Sequence, residues 1–100
     1  MALQIIWTEI AEEQFEEILR YWIERNGSTT FAVKLNMLID KTVQILSRYP
    51  ESGRKTNFKD ISVKIVGDYF LYYSHNTEFL YIVAICDMRR DSEYIKKLLE

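Results

Sequence analysis

Residues 61–87 read ISVKIVGDYFLYYSHNTEFLYIVAICD, and their periodicity decides the fold. Ile61, Val63 and Ile65 alternate with Ser62 and Lys64, so one side of an extended chain is apolar and the other polar. Gly67-Asp68 then offers a tight hairpin turn. Tyr69 to His75 reads as an aromatic strand, and Asn76-Thr77 as a second turn. Phe79 to Cys86 is a nearly continuous apolar run suited to the centre of a sheet. Three consecutive strands joined by short turns make an antiparallel meander.

Upstream of this stretch the period is 3.6. Leu3 to Trp7 is a short strand candidate, and Thr8 is an acceptable N-cap for a helix beginning at Glu9. Glu9, Glu12 and Glu13 favour the positive end of a helix dipole. Ala11, Phe15, Ile18, Leu19, Trp22 and Ile23 fall on one helical face, with Glu16, Glu17 and Arg20 off it. Asn26-Gly27 stops this helix. Ser28, Thr29 and Thr30 cap a second, in which Phe31, Leu35, Leu38, Ile39, Leu46 and Tyr49 are expected to form the apolar face and Pro50 the stop. Residues 50–60 form a polar loop, and Ser92 to Leu99 a short terminal helix. The order is β-α-α-β-β-β-α, an α+β fold in which an antiparallel sheet packs against an antiparallel helical hairpin, in a single domain spanning residues 1–100.

The chain has 100 residues, 48% of them hydrophobic, with three glycines and one proline, a composition for dense packing. One cysteine excludes an intramolecular disulfide framework, and one histidine beside it leaves no His/Cys zinc cluster. No apolar run approaches the ~18 residues of a membrane span, and no signal-peptide pattern opens the chain, so a cytoplasmic protein is expected. The net charge of −2 is uneven: residues 1–25 carry −4, residues 26–60 carry +3 and residues 61–100 carry −1. A uniform basic coat for nucleic acid is absent, while a local basic patch is not.

Candidate chemistry depends on where these residues fall. A Cys86–His75 dyad is opposed by geometry, because seven or eight strand residues at roughly 3.3 Å each lie between them. Asp87, Asp91 and Glu93 have carboxylate spacings that are also common at charged loop exits, so neither a metal nor a cofactor is expected. Phosphate-binding glycine motifs are absent, and Gly53 reads as a turn residue. Tyr69, Phe70, Tyr72, Tyr73 and Tyr81 could stack on bases, although strands prefer aromatics for packing alone. Arg48, Arg54, Lys55, Lys59 and Lys64 form a basic stretch. Arg89 and Arg90 follow the last strand, with Tyr94 and Lys96-Lys97 beyond. The loop 50–60 and the exit 87–91 are expected to meet at one rim, able to contact phosphate or an acidic partner.

The β-α-α-β-β-β order, the RYPESGR segment (Arg48 to Arg54), VGDYFLYYSH (Val66 to His75) and YIVAICDMRRDSE (Tyr81 to Glu93) together resemble the RelE/ParE superfamily of toxins from bacterial type II toxin–antitoxin modules. The resemblance covers essentially the whole chain. It implies a cytoplasmic, growth-arresting protein masked by a cognate antitoxin. Two mechanisms exist among such proteins. RelE-like members are metal-independent endoribonucleases that cut messenger RNA on the ribosome, and ParE-like members poison DNA gyrase. On a RelE-like mechanism the matching catalytic residues are Lys64 to stabilise charge, Arg89 to clamp phosphate and Tyr94 to move a proton. RelE-like nucleases also carry an arginine after the tyrosine of a Gly-Tyr-Arg-Leu-x-Tyr pattern, and Phe70 stands there. Phenylalanine neither holds phosphate nor transfers protons. The resemblance therefore favours the gyrase poison, with the ribonuclease as the alternative and an inactive antitoxin-binding relative as a third reading.

Overall fold

Alternation and turn chemistry produce the expected meander. The computed structural model describes residues 2–89 and 92–99, the side chains of Ser92, Tyr94 and Ile95 lying outside that description. The elements are β1 (Gln4–Trp7), α1 (Glu9–Asn26), α2 (Thr30–Arg48), β2 (Arg54–Lys55), β3 (Ser62–Val66), β4 (Tyr69–His75), β5 (Phe79–Asp87) and α3 (Ser92–Leu99), with one turn of 3-10 helix at Pro50–Ser52. Gly67 takes φ 59° in the turn between β3 and β4, a conformation that costs glycine nothing. The strands form one sheet in the order β1-β5-β4-β3-β2.

Two features of the sheet go beyond the sequence expectation. First, β1 joins it parallel to β5, pairing Gln4 with Phe79 through Trp7 with Ile82. The helical hairpin between β1 and the meander supplies the long crossover that parallel pairing needs. Second, Arg54 and Lys55 leave the expected loop to pair antiparallel with Val63 and Ser62. A two-residue edge strand carrying two cations resists further strand addition.

The core lies between the hairpin and one face of the sheet. Ile39, Leu46, Leu71, Tyr73, Leu80 and Ile82 are fully buried there, each worth about 1.5–3 kcal/mol relative to exposure. The buried stripe of α2 is Ala32, Leu35, Ile39, Val43, Leu46 and Ser47. Phe31, Leu38 and Tyr49, expected in it, are 41, 44 and 65% exposed. The stripe is rotated because α2 is apolar over more than one face, and Ala32 and Val43 fit the close approach better than bulkier neighbours. The opposite sheet face buries Tyr72, Ala84 and Cys86, with Leu98 and Leu99 of α3 packed against them. Helices therefore cover both faces of the sheet.

The loop before β3 is pinned to the core by Tyr73. Its hydroxyl donates to the Pro50 carbonyl at 2.7 Å and accepts from the Gly53 amide at 3.0 Å. A Cβ on Gly53 would fall 2.8 Å from Tyr73 Cε1, so the approach requires glycine.

The basic rim expected at loop 50–60 and the exit 87–91 does not form as one. β3 and β5 are both antiparallel to β4, so they run in the same direction. The entry to β3 and the exit from β5 therefore lie at opposite ends of the sheet. Lys55 and Lys59 line a depression beside His75, whereas Met88 bonds to the Asp68 carbonyl at the other end.

Candidate functional site

The C-terminal end of β5 carries a bulge and runs beyond the end of β1, and there it is held by α1. Tyr72 pairs with Ala84 and Tyr73 with Ile82, so Val83 has no partner in β4. Such a bulge leaves backbone groups to be satisfied elsewhere. β1 has already ended opposite Ile82, and side chains of the N-terminal half of α1 take over. Thr8 Oγ1 donates to the Val83 carbonyl at 3.0 Å and accepts from Ala11 N at 3.1 Å as the N-cap of α1. Gln14 Oε1 accepts from Ile85 N at 2.9 Å, and its Nε2 points at Cys86 Sγ, 3.9 Å away. Further along, Trp22 Nε1 donates to Tyr69 Oη at 2.7 Å.

These contacts frame a cavity of about 390 Å³ between α1 and the ends of β4 and β5, with Gln14, Glu17, Tyr21, Tyr69, Asp87 and Arg89 on its walls. Arg89 is fixed at its mouth. Its Nε and Nη2 donate to Asp87 Oδ1 and Oδ2 at 3.0 and 2.7 Å, and its amide donates to Oδ1 at 2.8 Å. The Arg89 side chain keeps 78% of its surface exposed. The bonds to Asp87, and then its charge, push the Arg89 pKa further up. The result is a permanent cation in a set orientation with donors to spare, suited to a carboxylate or phosphate of a macromolecular partner. Burial raises the Tyr69 phenol pKa, an effect the bond from Trp22 partly offsets.

Of the other sequence candidates, Asp87 and Cys86 share the cavity of Arg89, whereas Lys64 does not line it. Lys64 sits in the middle of β3 and lines a smaller depression of about 250 Å³ with Arg54 and Phe70. Phe70 packs against Tyr72 there, ring centroids 6.0 Å apart. Tyr94 falls on α3, but its side chain, like Arg90 and Asp91, lies outside the described residues. Cys86 is buried opposite Phe70, while His75 pairs with Leu80 at the far end of β5 and lies 3.5 Å from Glu51. Among the described residues no group of three His, Cys, Asp or Glu side chains could hold a metal ion, and no helix is long and apolar enough to cross a membrane.

Sequence reasoning missed Gln14, Glu17 and Tyr21 as walls of the cavity. Gln14 shares a face with Tyr21 and Ile18 at i+7 and i+4, but nothing local marks it as the partner of a strand amide 71 residues away.

Comparisons with known proteins bear on the family and the fold. A family model described as ParE toxin of type II toxin-antitoxin system, parDE, matches residues 5–92. A solved structure of a chromosomal ParDE toxin–antitoxin system from P. aeruginosa superimposes with a TM-score of 0.76, at 16% identity over 86% of this chain and 96% of that one. No curated protein sequence matches the chain.

Proposed function

Because this chain belongs to the ParE toxin family of type II toxin–antitoxin systems, we propose that it is a cytoplasmic single-domain toxin that poisons DNA gyrase by binding it and is neutralised by a cognate antitoxin. The observation that carries the choice of gyrase is Phe70. It lines the same depression as Lys64, at the position where a RelE-like ribonuclease carries arginine. A phenyl ring there supplies no donor to a scissile phosphate and no proton to a leaving group. Arg89 supports a binding role from the other side of the argument. Held by Asp87 and permanently charged, it can anchor a partner but cannot shuttle a proton.

The two mechanisms leave different products. Purified protein added to gyrase, ATP and supercoiled plasmid should trap cleaved DNA that appears as linear plasmid after protein digestion. Programmed ribosomes given the same protein should leave their messenger RNA intact. Arg89→Ala, folded by circular dichroism, should lower the yield of linear plasmid. Cleaved messenger RNA with no effect on gyrase would replace this reading with the ribonuclease, in which Lys64, Arg89 and Tyr94 would be catalytic. Inactivity in both assays, with antitoxin binding kept, would mark a relative that only binds antitoxin.

A further inference from the structure

The β2–β3 edge of the sheet is cationic, in a chain that is acidic overall. Residues 48–64 hold Arg48, Arg54, Lys55, Lys59 and Lys64 against Glu51 and Asp60, a balance of +3 in a chain of −2, so the remaining residues carry −5. Arg54, Lys55 and Lys59 are exposed, and Lys64 is half-buried. None of these four has an ion-pair partner among the described residues, and Glu51 turns instead to His75, 3.5 Å away. Clustered like charges without a counter-charge weaken a fold. Protection of a sheet edge accounts for Arg54 and Lys55 on β2, but not for Lys59 in the loop or Lys64 within β3.

Strand register brings these cations together. Lys55 pairs with Ser62, two residues before Lys64, so Lys55 and Lys64 stand on the same face of the sheet with their backbones about 8 Å apart. Arg54 pairs with Val63 and carries a cation on the other face. Lys55 and Lys59 line one depression, and Arg54 and Lys64 another. The loop that bears Lys59 is closed by Thr56, whose Oγ1 donates to the Ile61 carbonyl at 2.8 Å and accepts from the Phe58 amide at 3.1 Å. Tyr73 ties the start of the segment to the core. The charges therefore sit on a set framework.

We propose that Arg54, Lys55, Lys59 and Lys64 form a contact for the phosphate backbone of duplex DNA. Four cations with spare donors suit a run of phosphates, whose neutralisation releases counter-ions. The −5 carried elsewhere steers a polyanion to this edge. An acidic protein surface is the poorer match, because lysine is depleted at protein interfaces, whereas nucleic-acid interfaces are polar and strongly positive. The choice of DNA as the source of the phosphates rests on the proposed gyrase target; the phosphate chemistry rests on the cations. On that reading Arg89 and this edge, at opposite ends of the sheet, meet the enzyme and its DNA respectively.

The test measures binding of the purified chain, without gyrase, to a short fluorescent duplex from low to physiological salt. Neutralising four phosphates gives log affinity a slope of about −3.6 against log salt. Lys55→Ala and Lys59→Ala should each bring that slope about one unit nearer zero and weaken binding at low salt by about tenfold. Arg20→Ala, at a cation of the acidic helix α1, should change neither. All three positions are exposed, and circular dichroism checks the fold. Absence of duplex binding at low salt, or a slope that both lysine variants leave unchanged, would overturn the contact. Tighter binding to a single-stranded RNA of the same length would assign the phosphates to RNA and overturn DNA. Lysine variants that lose affinity for DNA-free gyrase but keep it for the duplex would give this edge to an acidic protein surface and overturn the contact. Duplex binding with the expected slopes, by a chain that traps no cleaved DNA with gyrase, would support the contact and overturn the gyrase reading alone.

Discussion

α1 and α2 form one hairpin, yet they are attached to the sheet by different physics. α1 buries only Ala11 completely, packs Phe15, Ile18, Leu19 and Trp22 half-buried against the core, and adds polar side chains to the strands: Thr8 and Gln14 on β5, Trp22 on Tyr69. α2 buries six residues, and its own hydroxyls bond only within the helix, Thr42 to the Leu38 carbonyl and Ser47 to the Gln44 carbonyl. The polar helix is held in register by directional bonds, which fixes the cavity below Arg89. The apolar helix is held by area, which is non-directional and leaves an excess on its outer side. Geometry at the C-terminal end of β5 is thus specified by α1, and surplus apolar surface belongs to α2.

The contrast can be broken most severely on α2. Ile39→Ala removes a fully buried side chain from between the helix and the sheet and should cost about 2–5 kcal/mol in urea unfolding. It would leave the contacts between α1 and β5 in place, so the surviving folded fraction should keep its affinity for gyrase. A loss below about 1 kcal/mol would mean that α2 is held by something other than burial.

Gln14→Leu is the corresponding cut on α1. It keeps the apolar volume but leaves the Ile85 amide without its acceptor, an expected cost of about 1–3 kcal/mol. Hydrogen exchange of the Ile85 amide should rise more than that of the β3–β4 ladder. Equal exchange in variant and wild type would show that the Ile85 amide has another acceptor.

A smaller effect separates the two attachments by pH. Burial raises the phenol pKa values of Tyr69, Tyr72 and Tyr73 above the ordinary 10.0. Stability from these neutral phenols is fully present below pH 10 and is lost as pH rises through the folded-state values. Thermal melting should therefore be flat from neutral pH to about 10 and fall above it, and Tyr73→Phe should flatten the alkaline limb. A melting temperature that rises with alkalinity would contradict the direction.

How far the sequence reaches can be read from the same residues. The alternation from Ile61 to Cys86 marked three strands and their turns, because period two and turn chemistry are local properties. The direction of β1 was not legible, since four residues carry no signal of parallel or antiparallel pairing. Periodicity also misplaced Phe31, Leu38 and Tyr49. α2 is apolar over so much of its circumference that two stripes fit a 3.6 period, and only Ala32 and Val43, small enough for close approach, mark the buried one. Arg89 was singled out by its place after the last strand, whereas its separation from the loop cations depended on strand direction.

The claim that α2 is held by burial on one face is tested most directly by Leu38→Ala, measured for melting temperature beside Ile39→Ala. Leu38 adjoins Ile39 in sequence but stands 44% exposed against 0%. The expected result is an unchanged melting temperature for Leu38→Ala and a clear fall for Ile39→Ala. A melting temperature that falls equally in both would contradict it, because Leu38 would then belong to the core.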